Sequence, residues 1–152
     1  MIKRLFTYLL CLLPWFITSL LKVDYDYLNK IKTPFFTPPN YFYAISWTII
    51  YILVAFTIYK IVTSYKIKEI PKSYKITLIV NYLLNQSFVI VFFLLKNTFL
   101  GFISCIGTLI STLFLYEETS LLKNKSKYLI IPYILLSVFA TILSLSIYLL
   151  NI

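Results

Sequence analysis

Three amide side chains, Asn81, Asn85 and Gln86, lie within six residues of each other in a charge-free stretch from Ile76 to Leu95. Asn81 and Asn85 are four residues apart and therefore share one face of a helix, with Gln86 beside them. Amides in an apolar segment either hold neighbouring helices together by hydrogen bonds or fix the polar atoms of a ligand in an apolar cavity. The residue types leave both interpretations open.

The residues that common catalytic and metal sites require are missing from the sequence, lack the required spacing or lie outside the apolar stretches. The chain has no histidine, which excludes Ser-His-Asp and Cys-His arrangements. Cys11 and Cys105 have no CxxC spacing, so we interpret them as buried thiols and expect no metal site. The acidic residues all lie outside or at the ends of the apolar stretches, which argues against acid–base chemistry within those stretches. They are Asp24, Asp26, Glu69, Glu117 and Glu118.

The composition predicts the elements that position the amides. The chain of 152 residues is 61% hydrophobic and 12% charged, about half the charged share of a soluble domain. Its five long charge-free stretches can each cross a bilayer as a helix, because backbone groups in lipid need internal partners. Their apolar residues do not alternate, which argues against a β-barrel. The stretches are Leu5–Leu21, Tyr41–Tyr59, Ile76–Leu95, Asn97–Tyr116 and Tyr128–Ile152.

We therefore predict one all-α membrane domain over residues 1–152, a bundle of five transmembrane helices. The first span follows Lys3 and Arg4 like the start of a signal peptide, but no convincing cleavage site follows, so we interpret it as a retained helix with a kink at Pro14. The predicted helices cover residues 5–21, 42–63, 76–95, 98–116 and 128–150.

The charge balance is +9, with 14 Lys and Arg against 5 acidic residues. These cations lie between the apolar runs and form no separate patch, so they indicate membrane flanks and not nucleic-acid binding. Ten fall on one side and four on the other, which predicts a cytoplasmic N-terminus and an external C-terminus. The four are Lys22, Lys30, Lys32 and Lys96.

The first loop, residues 22–41, is rich in aromatic residues and proline. Aromatic residues at the membrane boundary are ordinary anchors, whereas closely spaced prolines fix a shape that a simple linker does not need. The loop is therefore either an anchor or a lid over the helix ends. The residues concerned are Tyr25, Tyr27, Phe35, Phe36, Pro34, Pro38 and Pro39.

Three segments resemble the TspO/MBR family, also known as the translocator protein, tryptophan-rich sensory protein or peripheral-type benzodiazepine receptor family. Residues 37–51, TPPNYFYAISWTIIY, resemble its signature T-P-P-x-W-x-F-x-x-x-W-T-x-L-Y at the entry to the second helix. Residues 81–88, NYLLNQSF, resemble its third-helix N-x-x-x-N-Q segment, and residues 132–144, PYILLSVFATILS, resemble its fifth-helix P-Y-x-x-W-x-x-F-A-T-x-L-N/S. Their order and spacing match the family over nearly the whole chain.

The resemblance implies a five-helix bundle, often a homodimer, with a pocket beneath the first loop, in a bacterial cell membrane. Members bind porphyrins, some bind sterols and benzodiazepine-type drugs, and some bacterial members promote light-dependent breakdown of protoporphyrin. The implied pocket residues are Trp47, Tyr51, Asn85, Gln86, Phe88, Cys105, Ala140 and Leu143. The implied lid residues are Phe35, Phe36, Pro38 and Pro39.

The chain departs from the family in its tryptophans, of which only Trp15 and Trp47 are present. Other aromatic rings still suit a flat ligand, but an oxidation reaction would draw on the missing indole at position 136, which argues against catalysis. Phe35, Phe36, Tyr41 and Leu136 stand at positions of family tryptophans.

We expect a membrane receptor or sensor for a porphyrin, protoporphyrin IX or a haem-like molecule, or for a similar flat hydrophobic ligand. Asn85 and Gln86 would orient the ligand and Trp47 would stack on it. The expected partners are the bilayer, the ligand and a second copy of the chain, and no separate cofactor is required. The alternatives are a porphyrin-degrading photo-oxidative enzyme with Trp47 as the reactive indole, a transporter of hydrophobic ligands, and a structural subunit.

Overall fold

The computed structural model describes residues 2–22, 24 and 26–152, and the regular structure in these ranges is helical throughout. Five helices in this part of the chain are long and apolar enough to cross a membrane, which confirms the predicted all-α bundle. They are α1 (Ile2–Leu20), α3 (Asn40–Ser64), α4 (Lys72–Leu94), α5 (Thr98–Leu121) and α6 (Lys125–Leu150). A short helix, α2 (Tyr27–Lys30), lies in the first loop, whose Tyr25 falls outside the described residues.

The helix starts follow from local sequence. α3 and α4 begin directly after Pro39 and Pro71, because proline lacks an N–H that the first turn would leave unpaired. The side chain of Asn97 caps α5 by accepting a hydrogen bond of 2.9 Å from the N–H of Leu100. Asn124 caps the start of α6 in the same way. α4 and α5 extend beyond the charge-free stretches, since charged side chains at helix ends reach the headgroup region without breaking the helix.

Two spans change helical type. α1 is α-helical to Leu12 and continues as a 3₁₀ helix over Leu13–Leu20, starting next to Pro14, which lacks a backbone donor. α4 is α-helical to Phe88 and widens into a π-helix over Val89–Leu94. A π segment shifts the following side chains around the helix axis relative to a straight α-helix, and such segments are frequent at functional sites.

The bundle packs around α5, which lies between α4 and α6, while α1 packs on α3. The buried face of α5 consists largely of small side chains, which let its neighbours approach closely. This face includes Gly101, Ser104, Cys105, Thr108 and Ser111. The outer faces carry exposed apolar side chains such as Ile49, Leu83 and Leu135, which suit contact with lipid.

The described residues form two apolar clusters in the interior. One lies in the body of the bundle around Trp15, Tyr74 and Tyr133. The other lies towards the first loop. It joins Tyr27 of α2 to Phe92 of α4 and to Leu143 and Ile147 of α6. The second cluster attaches the first loop to the helix ends by burial of apolar surface.

Candidate ligand-binding site

A chain of hydrogen bonds connects the mid-membrane amides to the neighbouring helices. The Tyr51 hydroxyl on α3 donates to Asn85 Oδ1 at 2.9 Å. Asn85 Nδ2 donates to the Tyr133 hydroxyl on α6 at 3.1 Å, and that hydroxyl donates to Asn81 Oδ1 at 3.1 Å. Each of these buried polar groups therefore has a partner, as a low-dielectric interior requires.

Asn81 extends this chain to α5. It is fully buried, and its Nδ2 donates to Ser111 Oγ at 3.0 Å and to Thr112 Oγ1 at 2.9 Å. Interhelical hydrogen bonds in membranes contribute about 0.6–2 kcal/mol each. Asn81 therefore holds helices together, which is the first of the two interpretations of the amides.

Gln86 also serves helix packing. Its Nε2 donates to the carbonyl of Trp15 at 3.2 Å, and its Oε1 accepts a bond of 2.6 Å from Thr18 Oγ1. These bonds direct its amide to the 3₁₀ segment of α1, and Gln86 is not among the residues that line the cavity. Gln86 therefore fastens α1 to α4, because a buried 3₁₀ carbonyl and hydroxyl need partners, and a contact between Gln86 and a ligand stays a prediction.

A cavity of about 600 Å³ opens between the helices and beneath the first loop, within the range of about 300–1,000 Å³ typical of small-molecule sites. Its lining comes from α1, α3, α4, α5, α6 and, through Leu28, α2. None of the described residues that line it is charged. The cavity is therefore mostly aromatic and aliphatic, with a few hydroxyl, amide and thiol groups.

Aromatic rings form two walls of the cavity. On one side Tyr51 lies between two indoles, with ring centroids 5.5 Å from Trp15 and 6.0 Å from Trp47. On the other side the rings of Phe88 and Phe92 stack at 5.1 Å with an interplanar angle of 14°. Aromatic side chains of this kind supply apolar contact area for a planar molecule.

The structure brings most of the expected pocket residues together. Asn85 contributes an amide from the middle of α4, and the Cys105 thiol lies 3.2 Å from Ser144 Oγ. Of the eight expected residues, those that line the cavity are Trp47, Tyr51, Asn85, Phe88, Cys105, Ala140 and Leu143.

The expected lid residues lie elsewhere. Phe35, Phe36, Pro38 and Pro39 are not among the lining residues, and Phe35 is fully exposed. Before the start of α3, the described part of the first loop reaches the cavity through Leu28 of α2, which packs on the second cluster. In α2 the contact with the cavity comes from Leu28, and a lid function of Phe35 and Phe36 stays a prediction.

Several lining residues were absent from the expected set. Tyr43 lies four residues before Trp47, and Phe92 lies four residues after Phe88, so helical spacing alone could have indicated them. Trp15 and Phe16 had no such signal, because their position depends on how α1 packs. The remaining lining residues include Phe93, Leu136, Ser137, Phe139, Ser144 and Ile147.

Polar contacts of Lys32 and Tyr27 tie the first loop to the helix ends. Asn151, at the end of α6, accepts a bond of 3.0 Å from Lys32 N–H and donates one of 2.8 Å to Lys32 O. The Tyr27 hydroxyl donates to the carbonyl of Lys96 at 3.0 Å. These bonds hold the loop against the α4–α5 turn and the end of α6.

Three charged side chains form what we call the rim cluster: Asp24, Lys30 and Lys96. Both lysine Nζ atoms contact the same oxygen, Asp24 Oδ2, at 3.1 Å from Lys30 and 3.3 Å from Lys96. Hydrogen bonds from Lys30 and then Lys96 hold the pKa of the Asp24 carboxyl below its ordinary value. The cluster is solvent-exposed and carries one more positive than negative charge.

The fold and the site together define an integral membrane protein with five membrane-spanning helices in the described part of the chain and an internal, largely aromatic cavity. Comparison with protein-family models matches residues 6–150 to the TspO/MBR family, and the chain belongs to that family. The predicted family and membrane location are confirmed.

Individual relatives agree with this assignment. The "Tryptophan-rich protein TspO" of Bacillus cereus is 34% identical over 138 residues, which cover 90% of this chain and 89% of the relative. The "Uncharacterized membrane protein YtaB" of Bacillus subtilis is 32% identical over 84% of this chain and 82% of its own length. A "Tryptophan-rich protein TspO" of Archaeoglobus fulgidus is 29% identical over 80% of this chain and 77% of its own length.

Proposed function

We propose that this member of the TspO/MBR family is a membrane receptor that binds a porphyrin, or a similarly flat hydrophobic molecule, in the cavity beneath the first loop. The observation that carries the proposal is the cavity itself: aromatic rings from four helices surround a space large enough for a small molecule, with the amide of Asn85 at its wall. An apolar site with few polar groups is the usual form of a small-molecule pocket.

The aromatic walls supply binding energy by apolar burial and by ring–ring contact. Each favourable ring–ring contact adds about 0.5–1.5 kcal/mol to the energy gained from buried surface area. Asn85 supplies orientation. Its Oδ1 is already occupied by Tyr51 and Gln86, whereas Nδ2 has two hydrogens and donates one to Tyr133. The second N–H of that group is suited to an acceptor on the ligand.

Fluorescence quenching by metal-free protoporphyrin IX tests the proposal. Both tryptophans line the cavity, so the Trp15→Phe variant is used to report on Trp47 alone. We expect saturable quenching. Ala140→Leu adds bulk inside the cavity without touching the hydrogen-bond chain, and we expect about tenfold weaker binding.

The matched control is Val138→Leu, which adds bulk to an exposed position of α6 outside the cavity lining and should leave binding unchanged. Quenching that rises without saturation, or that responds equally to the two substitutions, would show that the porphyrin partitions into detergent or lipid and does not occupy the cavity.

One observation favours a second candidate function, photo-oxidative porphyrin breakdown. Trp15, Tyr51 and Trp47 form a contiguous row of oxidisable rings along the cavity wall. The test is loss of protoporphyrin absorbance under illumination in air. A loss faster than in protein-free micelles, and abolished by Trp47→Phe, supports the enzyme; equal rates with and without protein exclude it.

From the distribution of Lys and Arg we also infer a cytoplasmic N-terminus. Residues 65–71 connect α3 to α4 at the N-terminal end of the bundle. A cysteine placed at Ile67, which is exposed, should then resist impermeant thiol reagents in intact cells. The homodimer and the transport alternative stay predictions.

A further inference from the structure

The cavity and its rim differ sharply in charge. No charged side chain is present among the described residues lining the cavity, so a carboxylate brought inside would lose its hydration without gaining a cation. Porphyrins of the protoporphyrin type carry carboxylates at one edge of the ring. A ligand of this shape can enter only with its acidic edge left at an opening where water or cations are available.

The rim cluster provides such cations. Among the residues that the structure describes, Lys30 and Lys96 have the same acidic partner, Asp24, and contact the same oxygen atom, which leaves the cluster with an excess positive charge. Each ammonium has three donors, and the contact with Asp24 uses one of them. The side chains of Lys30 and Lys96 are 62% and 50% exposed, so both can turn on their flexible stems towards an arriving anion.

The rim cluster is also close to the cavity. Lys96 Nζ lies 5.8 Å from the ring centroid of Tyr27, and that ring lies 5.6 Å from the ring of Phe92, which lines the cavity. Leu28, next to Tyr27 in the chain, lines the cavity directly. The ring of Tyr27 therefore lies next to both Lys96 and a ring of the cavity lining, and Lys30 lies two residues after the lining residue Leu28.

We propose that Lys30 and Lys96 form a carboxylate-binding site at the rim, which holds the acidic edge of the ligand while its uncharged rings occupy the cavity. The site rests on the proposed function and gives it a ligand class: a flat amphiphile with carboxylates on one edge. Asp24 competes with the ligand for the same two ammonium groups.

The experiment uses protoporphyrin IX and its uncharged dimethyl ester. For each ligand, the dissociation constant of every variant is compared with that of the wild type. Lys30→Gln and Lys96→Gln should each weaken binding of the diacid about two- to five-fold, the effect of an exposed ion pair. Binding of the ester should not change. The Lys96 substitution leaves its backbone carbonyl, and hence the Tyr27 contact, in place.

Asp24→Asn gives a result of opposite sign. It frees both lysines from their acidic partner, so we expect tighter binding of the diacid and no change for the ester. If the rim cluster were only a fastening for the first loop, Asp24→Asn and the lysine substitutions would change the affinity of both ligands in the same direction. Lys125→Gln, an exposed cation at the other end of the bundle, is the matched control and should have no effect.

The outcomes separate the two proposals. If both ligands bind saturably and respond alike to every variant, the rim site is wrong and the receptor function stands. If Asp24→Asn weakens binding of the diacid, the rim site is also wrong. If neither ligand binds saturably to the wild type, the proposed function fails and the rim site fails with it.

Discussion

Tyr133→Phe removes one oxygen atom from the centre of the bundle. Tyr133 is fully buried, and its hydroxyl both donates to Asn81 Oδ1 and accepts from Asn85 Nδ2, each at 3.1 Å. Phenylalanine keeps the ring and its packing, so the loss is confined to these two bonds. At about 0.6–2 kcal/mol per bond in a membrane, we expect a destabilisation of about 1–4 kcal/mol.

The assay is equilibrium unfolding in mixed micelles of increasing dodecyl sulfate content, followed by circular dichroism. Tyr128→Phe is the control, because Tyr128 is 58% exposed and its ring keeps the contact with Lys127 when the hydroxyl is removed. We expect this control to unfold at the same dodecyl sulfate content as the wild type.

A double-mutant cycle with Asn81→Leu sharpens the test. In that background Tyr133→Phe loses only its bond with Asn85, so its cost should fall by about half. A Tyr133→Phe variant that unfolds with the wild type, or whose cost is unaffected by Asn81→Leu, would show that the hydrogen-bond chain does not hold the helices together.

Three further predictions concern the cavity and its cover. Gly101→Ala places a Cβ 2.6 Å from Phe92 Cδ2 and should displace that ring, costing about 1–3 kcal/mol and weakening porphyrin binding; unchanged unfolding and binding would contradict this. Asn151→Ala removes both side-chain bonds to the Lys32 backbone, so the Lys32 amide should exchange hydrogen faster, whereas Asn29→Ala should have no effect. The Asp24 carboxyl should titrate below its ordinary pKa in an NMR experiment, and Lys30→Gln should raise that pKa; an ordinary pKa in the wild type would mean that the rim cluster does not form in solution.

The amides show why the candidate site was only partly predictable. Sequence placed Asn81, Asn85 and Gln86 near one face of a helix, but it could not assign each to packing or to the cavity, because that depends on which neighbour approaches each side chain. Asn81 meets the hydroxyl groups of α5, Gln86 meets the backbone of α1, and Asn85 reaches the cavity. Neighbouring amides of one helix thus serve helix packing in two cases and the cavity in the third.

Sequence alone determined the membrane class, the five spans and the family, because charge-free stretches of bilayer length and motifs in order are properties of the chain itself. Tertiary packing decided where the cavity lies, that Leu28 of α2 lines it while Phe35 and Phe36 do not, and that one oxygen of Asp24 contacts both Lys30 and Lys96. The contact between Asp24 and Lys96 joins residues 72 positions apart, and contacts of this kind depend on how whole helices are rotated and spaced against each other. Local patterns of residue type carry no information about those rotations.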